Sequence, residues 1–317
     1  MKINSVCLEL EESKSSPGIR VFDIAELSRY DGPGIRTVVY LQGCNAGCEW
    51  CHSPHSQSSV SPLMFLSSLC TACHRCVDAC KQGVHKFINM KHCIDRSKCI
   101  QCGNCIKECP ASVSGVSGSA LSLPTAYATV DSLWEQIYPY LLLTKKSGGG
   151  ITLSGGEALL QPQASIELLR RCREAGIHTS VETSGLLPVT IYRNVAPLVD
   201  TWMFGMRVIT GKNHPRHDDH IRQVMTELAK HKCSILPRIP MVPGFYDCDD
   251  VLHSILSLLQ QYHIDSIYLN PWNRNFDVNY YNSGIPLKMA VPSAREVATC
   301  ESKIVSFFTH FKFDLYE

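Results

Sequence analysis

The sequence lacks any apolar run approaching the roughly 20 residues that span a bilayer. Its first ten residues, Met1 to Leu10, mix Glu and Lys with apolar positions, where a signal sequence needs an unbroken hydrophobic stretch. Both absences point to a cytoplasmic protein. Excess charge of either sign is also missing. With 30 Lys and Arg against 29 Asp and Glu, the net charge is +1, so no long-range field draws the chain to nucleic acid or to an anionic membrane. Recognition must rest on local chemistry. The 317 residues suffice for one large domain or for a barrel with an insert.

Cysteine, by contrast, is abundant, at 17 residues. A reducing compartment rules out a disulfide framework, and clustered cysteines there read as metal ligands. Eleven of them follow regular spacings between Cys44 and Cys109, while Cys7, Cys93, Cys172, Cys233, Cys248 and Cys300 are scattered. The dense segment begins near Phe65, after Pro62, and closes in the Ser- and Gly-rich stretch Ala111 to Ala120, which suits a flexible connection. The chain thus divides into 1–64, an insert over 65–120, and 121–317. Inside the insert, Cys70, Cys73, Cys76 and Cys80 recur as Cys99, Cys102, Cys105 and Cys109, each displaced by 29 positions. Two equivalent half-units follow.

Outside the insert, β-rich runs alternate with amphipathic stretches. Strands are expected at Thr37–Leu41, Gly150–Leu153, Thr179–Glu182, Thr201–Met206, Cys233–Ile239 and Ile267–Asn270. Helices are expected at Ala164–Ala175, Val189–Val195, Asp218–Lys230, Val251–Tyr262 and Ala294–Phe311. This alternation implies an α/β protein with parallel strands and right-handed crossovers. Six strands are too few for a closed eight-stranded barrel, so the expected architecture is a partial (β/α)6 TIM-type barrel carrying the insert.

Gly43 to His52 places Cys44, Cys48 and Cys51 in a CxxxCxxC pattern just after a strand. A 4Fe–4S cluster takes four thiolates, so three leave one iron open to an outside ligand; a zinc site completed by His52 or His55 is the alternative. Gly148 to Glu157 reads as a strand ending in a Gly-Gly pair, a turn that brings backbone close to a ligand or merely links strand to helix.

With Trp50 before its third cysteine, the CxxxCxxC loop resembles the signature of the radical S-adenosylmethionine (SAM) superfamily. In that family the open iron chelates the amino and carboxylate groups of SAM. The resemblance implies that the edge Gly155, Gly156 and Glu157 binds the SAM amino group, and that Glu182 and Thr183 reach the ribose or an ion. The strand end Arg238 to Gly244 offers an apolar surface that suits adenine and equally suits the core.

Tyr30 to Thr37 (YDGPGIRT), Gly148 to Glu157, Glu182 to Gly185 and Arg238 to Gly244 together resemble the glycyl radical enzyme activating enzymes over nearly the whole chain. What this implies is SAM cleavage to a deoxyadenosyl radical that takes one Cα hydrogen from the glycine loop of a partner enzyme. An electron donor of flavodoxin or ferredoxin type is implied too. Asp31 to Thr37 would help shape the peptide site, although DGPG is also an excellent turn former. Two departures stand out. Where the family has an Asp-x-Lys pair, this chain has Gly205 and Arg207; Arg207 keeps a cation for the SAM carboxylate, whereas Gly205 cannot ligate a metal ion. Where Pro-Tyr-His is common, Pro271-Trp272-Asn273 occurs.

The paired CxxCxxCxxxC runs resemble bacterial ferredoxins, in which the fourth cysteine of each run serves the other cluster. That resemblance implies one cluster on Cys70, Cys73, Cys76 and Cys109 and another on Cys80, Cys99, Cys102 and Cys105, for three clusters in all. Two closed zinc sites are the alternative. Cys93 is read as a free thiol and Cys172 as core, with Met241, Trp272 and the Phe307-Phe308 pair as packing. The group His214, His217, Asp218, Asp219 and His220 is read as the capped start of a helix. Other readings of the chain are a radical SAM enzyme acting on a small molecule or peptide, and an electron carrier whose barrel has lost catalysis.

Overall fold

The computed structural model describes residues 16–112, 119–206 and 216–315. In chain order, β1 (Gly18–Ser28) turns back antiparallel onto β2 (Arg36–Leu41). Next come β3 (Met64–Phe65) at the start of the insert, α1 (Arg75–Ala79), β4 (His85–Ile88), β5 (Lys91–Ile94) and α2 (Asn104–Lys107) within it, and β6 (Leu121–Ser122) just after it. There follow β7 (Ala126–Thr129), α3 (Val130–Lys146), β8 (Gly150–Gly155), α4 (Pro162–Glu174), β9 (His178–Thr183), α5 (Val189–Val195) and β10 (Thr201–Gly205). The chain closes with α6 (Arg216–Leu228), β11 (Ser234–Pro240), α7 (Asp249–Gln261), β12 (Ser266–Asn270), α8 (Phe276–Ser283), α9 (Ala294–Phe307) and β13 (Lys312–Leu315).

One sheet runs in the order β13-β12-β11-β10-β9-β8-β2-β1-β7. From β2 to β13 every neighbouring pair is parallel. The six strands expected from sequence are the contiguous set β2 and β8 to β12. The central ones are buried on both faces, Val38, Val39 and Leu41 on β2 and Trp202 to Phe204 on β10 for instance, as strands covered on both sides are.

The sheet is curved, and this follows from its cleft. Phe22 on β1 and Asn270 on β12 line one cavity of about 330 Å³, yet in a flat sheet six strand spacings would hold those strands about 30 Å apart. Only a sheet rolled into a partial barrel brings them together.

Sequence reading missed β1, β7, β13 and α3. β1 is mostly half-buried, so its alternation is weak. The last helix was expected to run to Phe311, but α9 stops at Phe307 and the chain instead adds β13 beside β12. Tyr30 to Ile35 is a turn between the paired strands β1 and β2. Arg36 beyond it is fully buried, donating to Thr152 Oγ1 at 3.1 Å, Ser180 Oγ at 2.9 Å and the Ile151 carbonyl.

In the insert, the sequence repeat is also a backbone repeat. Ala72 and Gln101 both have positive φ, as do His74 and Gly103, which precede α1 and α2. β3 pairs with β6 at its base, Phe65 opposite Leu121. A small apolar cluster of its own, including Leu63, Val84, Ile106 and Leu121, packs around Cys76 and Cys105. Arg96 ties this unit to α8, donating from Nε to the Leu63 carbonyl at 2.7 Å and from Nη2 to that of Asn282 at 2.8 Å.

Candidate active site and cysteine sets

Cys44, Cys48 and Cys51 occupy the loop that leaves β2, all partly buried. The loop is held from several sides. Cys44 N–H donates to the Gln57 carbonyl at 3.0 Å, and from α8 Tyr280 Oη donates to Glu49 O at 3.2 Å and Asn279 Nδ2 to His52 O at 2.8 Å. Trp50 is 8% exposed and packs edge-on against Tyr246, with ring centroids 5.5 Å apart. Its role here is to anchor the loop in the core, since it does not line the cleft.

The Gly155-Gly156 pair is required by close approach. A Cβ at Gly155, whose φ is +107°, would collide with the backbone of Leu41, and one at Gly156 with that of Gly43. The contact lets Gly156 N–H reach Leu41 O at 2.9 Å and Glu157 N–H reach Gly43 O at 2.7 Å. The end of β8 is thereby fastened to the root of the cysteine loop.

Glu157 and Thr183, both expected to contact SAM, face the protein instead. The fully buried Glu157 carboxylate accepts from Thr183 Oγ1 at 2.9 Å, Ser184 N–H at 2.9 Å and Ser184 Oγ at 2.7 Å. Thr183 Oγ1 also lies 2.9 Å from Tyr192 Oη. These bonds join the ends of β8 and β9, because a buried carboxylate needs several donors to offset its desolvation.

Glu182 and Arg238 do line the cleft, with Gly155, Ser154, Asp23, Asp31, Tyr40, His52 and Asn270. Arg238 Nη1 donates to Glu182 Oε2 at 3.0 Å, Ser154 Oγ donates to the same oxygen at 2.6 Å, and Asp31 Oδ1 stands 3.9 Å from the guanidinium. Burial pushes the carboxyls of Asp23 and Asp31 upward, and for Asp31 the nearby Glu182 adds to the effect. Three carboxylates thus face one guanidinium, a surface that favours a ligand with positive charge. Asp23, Tyr40 and Asn270 were not singled out from sequence; only folding brings β1, β2 and β12 around one cavity. Arg207 lies outside the described residues.

The insert brings its thiols together in two crossed sets. The Cys76 thiol is pushed up to about 11 by burial and then by the neighbouring charges of Cys109, Cys70 and Cys73. Cys105 is pushed up to about 12 by burial and then by Cys99, Cys80, Cys102 and, from the first set, Cys76. Cys80, Cys99, Cys102 and Cys105 also line one cavity of about 20 Å³. In each group one thiol comes from the other half of the repeat. One feature of the first set was not foreseen. His92 lies beside it, Nδ1 3.7 Å from Cys70 Sγ and Nε2 3.6 Å from Cys76 Sγ, with His85 Nδ1 3.0 Å from that Nε2. Cys172 is buried in the core, as expected.

A curved parallel sheet with three thiols in the loop after its first parallel strand, and a charged cleft at the same edge, has the make-up of a radical SAM enzyme. The comparisons with known proteins narrow this. A family described as "4Fe-4S single cluster domain" matches residues 30–222. The choline trimethylamine-lyase activating enzyme of Oleidesulfovibrio alaskensis is 32% identical over 249 residues, 76% of this chain and 78% of that protein. The isethionate sulfite-lyase activating enzyme of Desulfovibrio desulfuricans is 32% identical over 292 residues, 88% of this chain and 91% of that protein. A domain of a pyruvate-formate lyase-activating enzyme from Bacteroides vulgatus aligns at 22% identity and a TM-score of 0.38, over 54% of this chain and all of that one. The chain belongs to the family of radical SAM enzymes that activate glycyl radical enzymes. Among the described residues no helix is long and apolar enough to cross a membrane.

Proposed function

We propose that this protein binds SAM in the cleft beside Cys44, Cys48 and Cys51 and installs a glycyl radical on a partner enzyme of the lyase or decarboxylase kind. The observation that carries this reading is the cleft itself. Asp23, Asp31 and Glu182 face Arg238 at the strand edge next to the three-thiol loop, which suits a ligand with a sulfonium, an ammonium and one carboxylate.

In this reading Cys44, Cys48 and Cys51 hold a 4Fe–4S cluster with one open iron, and the crossed sets Cys70, Cys73, Cys76, Cys109 and Cys80, Cys99, Cys102, Cys105 hold two closed ones. Cluster and SAM, when bound, supply a one-electron cleavage of the sulfonium and a carbon radical that takes a hydrogen atom. The chain's own residues position the parts. Arg238 pairs with the SAM carboxylate while Glu182, fixed by Ser154, holds Arg238 in place. Glu157 and Thr183 act one layer further out, joining the two strand ends that frame the site. The segment 65–120 is a ferredoxin-like insert in a barrel made of 1–64 and 121–317. Its two thiol sets would hold closed clusters, which offer no substrate position and would serve electron transfer from a flavodoxin or ferredoxin-type donor or structural support.

The test is to mix anaerobically reconstituted protein, SAM and reductant with a candidate partner and record the electron paramagnetic resonance spectrum. A glycyl radical doublet with one deoxyadenosine formed per radical is expected. Deoxyadenosine formation with no radical on any partner of these classes would overturn the reading.

A further inference from the structure

The hairpin of β4 and β5 has two unlike faces. Phe87 pairs with His92 and His85 with Ile94, whereas Lys86 pairs with Cys93 and Ile88 with Lys91. Opposed residues share a face and successive ones alternate, so His85, Phe87, His92 and Ile94 form one side. That side lies against the thiols of Cys70 and Cys76 through His92. Phe87 is stacked there between His74 and His92, with centroids 3.9 Å and 4.6 Å away.

The other side faces water. Lys86 and Lys91 are exposed, Ile88 is 58% exposed, and Met90 at the tip is 79% exposed. The tip is also costly. Asn89 and Met90 both have positive φ, as a two-residue hairpin turn requires. A residue with a side chain at Met90 costs roughly 1 kcal/mol that glycine would not. A long apolar side chain that is both strained and solvated contributes nothing to the hairpin's own stability, which points to a use outside the molecule.

Charge says what kind of partner fits. Residues 65–120 hold seven Lys and Arg but three Asp and Glu, while the whole chain is nearly balanced, so the remainder is net acidic. In the proposed reading each cluster on four thiolates would itself be anionic and would offset this excess, so the insert would be near neutral beside a net acidic barrel, and an acidic protein meets least repulsion at the insert's exposed lysines. A rival surface surrounds Ile100, 65% exposed beside the exposed Cys102. There Lys98, two residues before Ile100 in the chain, is paired with Asp95 at 3.0 Å, so it presents less free charge.

We infer that Lys86, Ile88, Met90 and Lys91 form the docking face for an acidic protein that carries a single-electron cofactor, and that electrons enter the insert here, at the Cys70, Cys73, Cys76 and Cys109 set. The inference rests on the proposed reading of the insert as an electron relay. In the step itself one electron leaves the reduced carrier, which is oxidised by one, and passes to the insert. No covalent bond or proton moves.

The test uses reconstituted full-length protein and a flavodoxin of net negative charge as probe, with the dissociation constant measured by calorimetry at low and high salt. The double variant Lys86→Glu/Lys91→Glu is expected to weaken binding by about tenfold at low salt and to flatten its salt dependence, since exposed rim charges act through screened attraction. Lys98→Glu is expected to change binding by less than about twofold. A third variant separates docking from folding: Met90→Gly should raise the melting temperature by relieving the turn and yet weaken binding. Unchanged affinity in the double variant, or an equal loss in Lys98→Glu, overturns the docking face. Lost affinity with undiminished flavodoxin-driven turnover supports the docking face and removes the relay reading instead.

Discussion

Arg238 Nη1 donates to Glu182 Oε2 across the ends of β11 and β9 at 3.0 Å, and the same guanidinium nitrogen stands 3.9 Å from Asp31 Oδ1. With Asp23 on the same cleft, the site carries more negative than positive charge. It should therefore prefer SAM to S-adenosylhomocysteine, which has lost the sulfonium charge. The expected preference is about tenfold, or about 1.4 kcal/mol. Glu182→Gln should shrink it. Calorimetric titration of both ligands into wild type and variant measures this, and equal affinities in the wild type would show that the carboxylates do not face the sulfonium.

Iron content tests the three ligand sets directly. Reconstituted protein should bind about twelve irons, four for each cluster. Replacing Cys44, Cys48 and Cys51 together by Ala should leave roughly two thirds of that iron and abolish SAM cleavage. Retained cleavage in this triple variant would exclude the loop as the site of chemistry.

Arg96 bridges the root of the insert and α8, donating to the carbonyls of Leu63 and of Asn282. Hydrogen bonds from a charged donor contribute about 1.5–3 kcal/mol each, and the two carbonyls are matched by the fork of a guanidinium, not by an ammonium. Arg96→Lys should therefore speed amide hydrogen exchange near Leu63 and Asn282 by about tenfold or more. Exchange in β9 and β10 should not change. Equal protection in both proteins would mean that other contacts hold the insert.

His55 offers a pH test. Its ring is buried beside Phe22, and its Nδ1 is among the buried atoms that lack a hydrogen-bond partner in the described structure. Burial holds its pKa down at about 4 from an ordinary 6.5. The folded state thus binds fewer protons than the unfolded one between these values. The stability linked to His55 is complete above about pH 6.5 and is lost as the pH falls through about 4. The full difference is about 3 kcal/mol as an upper bound. His55→Phe should lose less stability than wild type between pH 7.5 and 5, as read from urea midpoints, and a parallel loss would remove His55 as the cause.

The sequence by itself determined what depends on spacing and on local patterning. CxxxCxxC, the two CxxCxxCxxxC runs and their 29-residue offset are legible because each ligand set is built mainly from one short stretch of chain. The six central parallel strands are legible because they are short runs rich in β-branched and apolar residues that alternate with amphipathic helical stretches. The tertiary structure decided the rest. β1 is mostly half-buried and β7, at the edge of the sheet, is mostly exposed, so both carry weak patterns, and the residues after α9 gave way to a strand paired with β12. Whether a polar residue at a strand end meets the ligand or the protein was a question of direction that no spacing encodes. Glu182 turns into the cleft, while its neighbour Thr183 points to the opposite side and, with Glu157, joins two strands. The convergence of Asp23, Tyr40 and Asn270, and the placing of His92 over Cys70 and Cys76, required distant segments to meet. Curvature of the sheet and folding of the hairpin bring them there, and neither is a property of any one segment.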